Sequence, residues 1–157
     1  MDDNTFAEAR DALVGARRDA RAIESWPIER LPRDLAEAYR LQAAVASALG
    51  TTGGWKIAAV TAAQRESLGV ATPIAAPLLA PFMHDARRET PVLRAAAFIA
   101  PKLECEFAFE FARDLPARPE RPYSRKEVAE AVLALRLAVE IVDSRLPPGL
   151  GALAELA

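Results

Sequence analysis

Apolar residues recur at a spacing of three and four in two stretches near the start of the chain. The first stretch runs from Phe6 to Ile23 and the second from Leu35 to Leu49, with polar and charged residues between the apolar positions. Such spacing places the apolar side chains on one face of a helix. We therefore predict two amphipathic helices, the second of which stops at Gly50.

The next segment has the pattern of a short strand followed by a short helix. Residues 55–60 are apolar apart from one lysine, which predicts a strand with apolar residues on both faces. Thr61 then opens a capping box, and a helix should run from it to a point near Gly69. Prolines in residues 71–91 exclude a long helix, so we predict irregular loop with short extended pieces around Leu78.

The clearest strand signal is the strict alternation over residues 102–111. Residues two apart on a strand share a face, so one face should be rich in aromatic side chains and the other rich in charge. We expect the aromatic face to be buried. The apolar positions are Leu103, Cys105, Phe107, Phe109 and Phe111, and the positions between them are Lys102, Glu104, Glu106, Ala108 and Glu110.

A second capping box, Ser124 with Glu127, follows a proline-rich turn and predicts a further helix. Its apolar stripe extends from Val128 to Leu135. Residues 139–143 are rich in β-branched side chains, which favours a strand at the far end of this helix. These elements together predict an α/β fold.

Composition and charge limit the functions that the chain can have. With 157 residues, of which 52% are hydrophobic and 27% charged, the chain should form a single domain over residues 1–157. A net charge of −2 with interspersed signs gives no basic surface for nucleic acid. The apolar runs are shorter than the roughly 20 residues of a membrane-spanning helix. We therefore exclude nucleic-acid binding and a membrane span.

The two ends of the chain and its cysteine content add to this picture. The acidic N-terminus is not followed by the apolar region of a secretory signal, and Cys105 is the single cysteine. Both features predict a cytoplasmic protein. An apolar segment begins after Pro147 and is still running at Ala157. We expect the fold to continue past this point, so that the chain is a truncated form.

The candidate chemistry lies in the carboxylates. Glu104 and Glu106 project from one strand face and can converge on one hard cation, Mg²⁺ or Mn²⁺. Glu140 is the best third ligand, because it stands in an apolar segment where a carboxylate needs a partner. The alternatives stay open: a solvated strand face for the first two, and a helix-end carboxylate paired with Arg136 or Arg145 for Glu140.

Lys56 is the second candidate for chemistry. It lies between apolar neighbours, and only Lys102 and Lys126 are further lysines in the chain. A partly desolvated ammonium group can transfer a proton or hold a substrate carboxylate. The alternative is a structural lysine whose stem covers apolar surface while its head reaches water. The lone His84 is predicted to be a loop residue, and Cys105 a packing residue.

Five segments, taken in order, resemble the motif series of the 2-keto-4-pentenoate hydratase and 4-oxalocrotonate decarboxylase family, within the fumarylacetoacetate hydrolase-like superfamily. The resemblance runs from about the first helix to the last residue. The segments are Gly54-Trp-Lys-Ile-Ala58, Leu68-Gly-Val70, Pro101-Lys-Leu-Glu-Cys-Glu-Phe-Ala-Phe109, Arg113-Asp-Leu-Pro116 and Val139-Glu-Ile-Val-Asp-Ser-Arg145.

The resemblance implies a site and a reaction. It implies a divalent metal, Mg²⁺ or Mn²⁺, held by Glu104, Glu106 and Glu140, with Asp143 as the second choice for the third ligand, and it implies Lys56 as the active-site lysine. The metal would chelate the carboxylate and 2-oxo group of the substrate and stabilise an enolate. The implied reaction is hydration of a 2-hydroxy-2,4-dienoate in aromatic catabolism. Decarboxylation of a 4-oxalocrotonate-type 2-keto acid is the alternative, since the same enolate serves both.

The resemblance also implies a fold and partners. Residues 1–70 would form an N-terminal helical and mixed segment, and residues 71–157 the start of a mixed β-roll that is incomplete in this chain. Many family members carry an acidic residue where this chain has Ile74 after Pro73. The implied assembly is a homo-oligomer or a complex with a related decarboxylase or hydratase subunit. A truncated, non-catalytic assembly partner is therefore a third hypothesis.

Overall fold

The computed structural model of the chain describes residues 1–156, which form a mixed α/β protein with two small antiparallel sheets. Residues 1–100 and 144–156 form one compact unit, and Pro101–Asp143 form a second. In the described part of the chain, no helix combines the length and apolar character that a membrane crossing requires. The helices are α1 (Asp3–Arg18), α2 (Leu35–Leu49), α3 (Ala62–Leu68), α4 (Arg125–Ala131) and α5 (Ala152–Leu156), and the strands are β1 (Thr52–Ala58), β2 (Ile74–Leu79), β3 (Lys102–Phe111) and β4 (Val132–Val142).

Helix α1 is shorter than the apolar stripe predicted. It starts where the Asp2 side chain accepts a hydrogen bond from the Thr5 N–H at 2.8 Å. It ends at Arg18, and Ala20 then adopts a left-handed conformation with φ of 49°. The backbone N–H of Ile23 donates to the Arg145 carbonyl at 2.8 Å instead of continuing the helix. The prediction that the helix reached Ile23 was therefore wrong, because apolar spacing records the buried face and not the backbone turn that ends it.

Helix α2 has the bounds that the sequence predicts, from Leu35 to Leu49, and it packs against α1. Asp34 caps its N-terminus by accepting a hydrogen bond from the Glu37 N–H at 2.8 Å. The described core of the first unit lies mainly between these two helices. Its buried apolar residues on α1 and α2 are Ala9, Val14, Ala16, Ala38 and Leu41.

Glu37 is a buried carboxylate in this first unit. Its side chain accepts hydrogen bonds from the Arg33 guanidinium at 3.0 Å and from the Arg33 backbone N–H at 2.8 Å, and it also pairs with the α-ammonium group of Met1. Chiefly the Arg33 side chain, with the ammonium group second, lowers the pKa of Glu37 to about 2. A buried charge is tolerated here because it is paired and fully hydrogen-bonded.

Strands β1 and β2 form the antiparallel sheet of the first unit, in a register that places Lys56 opposite Ala76. The segment around Leu78, expected to hold short extended pieces, is part of the continuous strand β2. Helix α3 follows β1 and begins with both hydrogen bonds of the predicted capping box at Thr61. It ends at Gly69, whose φ of 66° favours glycine.

Strands β3 and β4 form the antiparallel sheet of the second unit. Strand β3 has the predicted bounds, and the capping box at Ser124 opens α4 as predicted. Helix α4 ends at Ala131, however, and β4 begins at the next residue. The prediction of a helical stripe as far as Leu135 was therefore wrong. Alternation from Leu133 onward was the signal for a strand, because leucine, valine or isoleucine stands at every second position from Leu133 to Ile141.

The aromatic face of β3 was predicted to be buried, and this was wrong. Phe107 is 68% exposed, and Leu137, which lies opposite it on β4, is 85% exposed. Alternation fixes which side chains share a face, but the second layer that buries a face comes from other parts of a fold. Within the described residues, this face of the sheet has no such layer.

Candidate metal centre

Three glutamates meet on the polar face of the β3–β4 sheet. The register pairs Glu104 directly with Glu140 across the two strands, and Glu106 lies two residues further along β3 on the same face. Like charges placed directly opposite each other destabilise a sheet. Nearby positive charge offsets that cost.

The carboxylates are close enough to share one ion. Glu104, Glu106 and Glu140 each offer one oxygen, and these oxygens all lie within 4.8 Å of one another. Two oxygens bound to one Mg²⁺ are at most about 4.2 Å apart, twice a metal–oxygen distance of about 2.1 Å. Glu104 is exposed and the other two are partly buried, so small side-chain rotations can close the remaining gap.

The neighbouring positions on this face fit the same arrangement. Glu106 lies opposite Ala138, which has a small side chain. Arg136, the next polar-face residue on β4, pairs with Glu110 at 2.6 Å. Its guanidinium group is therefore engaged by a carboxylate outside the three-glutamate cluster. Arg145, the other arginine considered for Glu140, donates to the Ala97 carbonyl at 3.0 Å.

Glu140 was also considered as a helix-end carboxylate, and its position does not agree with that reading. It lies inside β4, three residues before Asp143, which follows the end of the strand. Among the described residues, the group of carboxylates near enough to share an ion includes Glu140 and does not include Asp143. The structure thus brings together the three glutamates that the sequence suggested as ligands.

Lys56 lies in the first unit, whereas the three glutamates lie in the second. Its expected apolar surroundings are present on one side only: Lys56 is partly buried, but its neighbours Trp55 and Ile57 are 63% and 51% exposed. Alternation along β1 turns those two side chains to the opposite face. Lys56 contributes to the lining of an apolar pocket of about 270 Å³. The other lining residues are Ala58, Leu68, Ile74, Ala75, Ala76 and Leu156.

The two other residues with side chains suited to chemistry are both exposed. His84 lies in the loop after β2, as predicted. Cys105 was predicted to pack in a buried face, but it is exposed because the face of β3 that carries it is uncovered. The residues that the sequence did not suggest are those of the pocket around Lys56, since small apolar side chains carry no chemical signal in a sequence.

Comparisons with known proteins add no family assignment. A scan against protein-family models gives no match for this chain, and a search of curated proteins also gives none.

Proposed function

We propose that Glu104, Glu106 and Glu140 bind one divalent cation, Mg²⁺ or Mn²⁺, and that this centre serves the hydration of a 2-hydroxy-2,4-dienoate. The observation that carries the proposal is the convergence of three carboxylate oxygens within 4.8 Å from two paired strands. A cluster of acidic residues is common on protein surfaces. The ordered motifs that resemble the hydratase family are the reason to assign a substrate class to this cluster.

The donor set suits the proposed ion. Carboxylate oxygens are hard ligands, which Mg²⁺ and Mn²⁺ prefer over softer nitrogen or sulfur sites. When bound, such a cation supplies Lewis-acid stabilisation of the charge that develops on a 2-keto acid. Three carboxylates fill only part of the six-fold coordination that Mg²⁺ prefers, so in this proposal a chelating substrate would supply further ligands.

The protein groups have separate roles in this proposal. The glutamates fix the cation, while Lys56 transfers a proton or holds the substrate carboxylate through its ammonium group. The apolar residues beside Lys56 limit its hydration and so make it more responsive to a bound anion. In the fold that the same resemblance suggests, β3 and β4 would be opening strands of a hydrolase-like β-roll in a cytoplasmic enzyme.

Calorimetric titration with Mn²⁺ tests the metal site. We expect one site in the wild type, and at least a 10-fold weaker one in Glu106→Gln, since loss of even an outer-shell group costs about 10- to 100-fold in affinity. Glu66→Gln is the control, because Glu66 is a glutamate on α3 in the first unit, outside the cluster. Equal affinity in the wild type and Glu106→Gln would remove Glu106 from the site.

Turnover tests the reaction itself. We expect Mn²⁺-dependent loss of the ultraviolet absorbance of a 2-hydroxy-2,4-dienoate, with formation of a 4-hydroxy-2-keto acid. Release of CO₂ from a 4-oxalocrotonate-type acid without hydration would favour the decarboxylase alternative. Tight Mn²⁺ binding with neither reaction would favour the non-catalytic partner.

A further inference from the structure

The uncovered face of the β3–β4 sheet is a continuous apolar surface. It carries leucine, phenylalanine, valine and cysteine side chains on two paired strands, with no charged side chain among them. We call these residues the apolar face. The exposed fractions are 72% for Leu103, 68% for Phe107, 61% for Phe109, 46% for Phe111, 62% for Leu133, 55% for Leu135, 85% for Leu137 and 64% for Val139, and Cys105 lies among them.

The second unit needs a cover over this surface. Among its described residues, Ala131 is the one apolar residue that is fully buried. A two-stranded hairpin is at best marginally stable in water, and a second layer against one face is the usual remedy. The apolar residues of β3 and β4 are therefore placed to form half of a core.

The size of the apolar face matches the half-interface of a stable dimer. A fully exposed aromatic side chain presents roughly 150–250 Å² and an aliphatic one somewhat less, so the exposed parts sum to roughly 800–1,000 Å². Typical monomers show no patch above about 300–600 Å². Stable interfaces bury about 800 Å² on each partner.

We propose that the apolar face binds the same face of a second copy of this chain. Two hairpins packed face to face would form a four-stranded sandwich with its sheets about 10 Å apart, which is the usual spacing for interdigitated side chains. The face has no charge, so it meets its own copy without repulsion and offers nothing to pair with a charged partner. Self-contact by the opposite face would bring eight carboxylates together, since Glu104, Glu106, Glu110 and Glu140 lie there.

The symmetry of the contact follows from the register. Phe107 and Leu137 lie opposite each other at the middle of the paired strands, and further apolar pairs lie on both sides of them. A two-fold axis near this pair would place each half of the apolar face against the opposite half of the apolar face on the second copy. The proposed dimer leaves the three carboxylates on its outer surfaces, and it does not depend on the proposed metal or reaction.

Sedimentation equilibrium of the wild type and two variants tests the interface. We expect the wild type to approach twice the chain mass of 16.9 kDa at micromolar concentration. Leu137→Lys should weaken the dimer at least about 30-fold, the size of an interface hot spot. Val92→Lys is the control, because Val92 is 89% exposed in the first unit and should leave the dimer unchanged.

The single cysteine gives a second test that needs no variant. Cys105 lies on the apolar face, so dimer formation should slow its reaction with a thiol reagent as the protein concentration rises through the dissociation constant. A monomer at all concentrations would overturn the proposal, as would a dimer that Leu137→Lys leaves intact. Aggregates without a defined mass, or a labelling rate independent of protein concentration, would also overturn it.

Discussion

Replacement of Glu140 by glutamine should abolish most of the stability that Mn²⁺ confers on the protein. Each pair of carboxylates within 4.8 Å repels by between about 0.9 and about 3.5 kcal/mol, for an effective dielectric constant between about 80 and about 20. Glu140 takes part in two of the three pairs of the cluster. Because these charges converge on one point, the third carboxylate adds strongly to the field that attracts a cation.

Thermal unfolding measures this stabilisation as the increase in Tm that Mn²⁺ produces. At a Mn²⁺ concentration of about 100 times the dissociation constant, binding stabilises the wild type by about 2.7 kcal/mol, or roughly 5–10 °C in Tm. A 10- to 100-fold loss of affinity in Glu140→Gln reduces this to no more than about 1.4 kcal/mol at the same concentration. The shift between metal-free and Mn²⁺-loaded samples of one variant is measured, so other contacts of Glu140 cancel.

Asp143→Asn is the control for this experiment, because Asp143 was the other candidate for the third ligand and lies just beyond β4. Asp143→Asn should keep the full Mn²⁺-induced increase in Tm. The reasoning would be refuted if Glu140→Gln kept the wild-type shift, or if Asp143→Asn lost it while Glu140→Gln did not. A loss in both variants would indicate a site centred nearer the end of the strand.

Three further predictions concern catalysis, acid stability and helix capping. Lys56→Met should lower dienoate turnover by at least about 100-fold, the lower range for a lost acid–base group, with Mn²⁺ affinity in calorimetry nearly unchanged. Glu37→Gln should lower the stability at pH 7 by about 2 kcal/mol in urea unfolding, the scale of a charged hydrogen bond. The pKa of Glu37 is lowered on folding, so this difference should be complete above about pH 4.5 and disappear as the pH falls towards 2. Ser124→Ala should cost about 1 kcal/mol in the same unfolding assay, because it removes the N-cap of α4.

The first two of these predictions have a control in the same chain. Lys126→Met should not affect turnover, since Lys126 lies on α4 and pairs with Glu130 at 3.8 Å. Normal turnover in Lys56→Met would mean that Lys56 has a structural role only. Glu66→Gln, on α3, should not alter the acid limb of the stability curve. A pH-independent loss in Glu37→Gln would mean that packing, and not charge, holds that side chain.

The sequence by itself determined the local elements that have explicit start and stop signals. The capping boxes at Thr61 and Ser124 and the alternation in β3 each describe contacts made within a few residues, so a single segment contains all the information. For the same reason, Glu104 and Glu106 could be placed on one face before any tertiary structure was considered. The extent of α4 was misjudged because residues 128–135 match a helical stripe as well as a strand.

Only the tertiary structure decided which strand faces which, and which faces are covered. The pairing of Glu104 with Glu140 depends on a register between residues that are 36 positions apart, and nothing local fixes that register. The exposure of the apolar face likewise depends on what packs against the sheet, which alternation does not specify. Long-range pairing and burial are properties of the whole assembly of elements, and so the carboxylate cluster and the uncovered face appear only when the strands are paired.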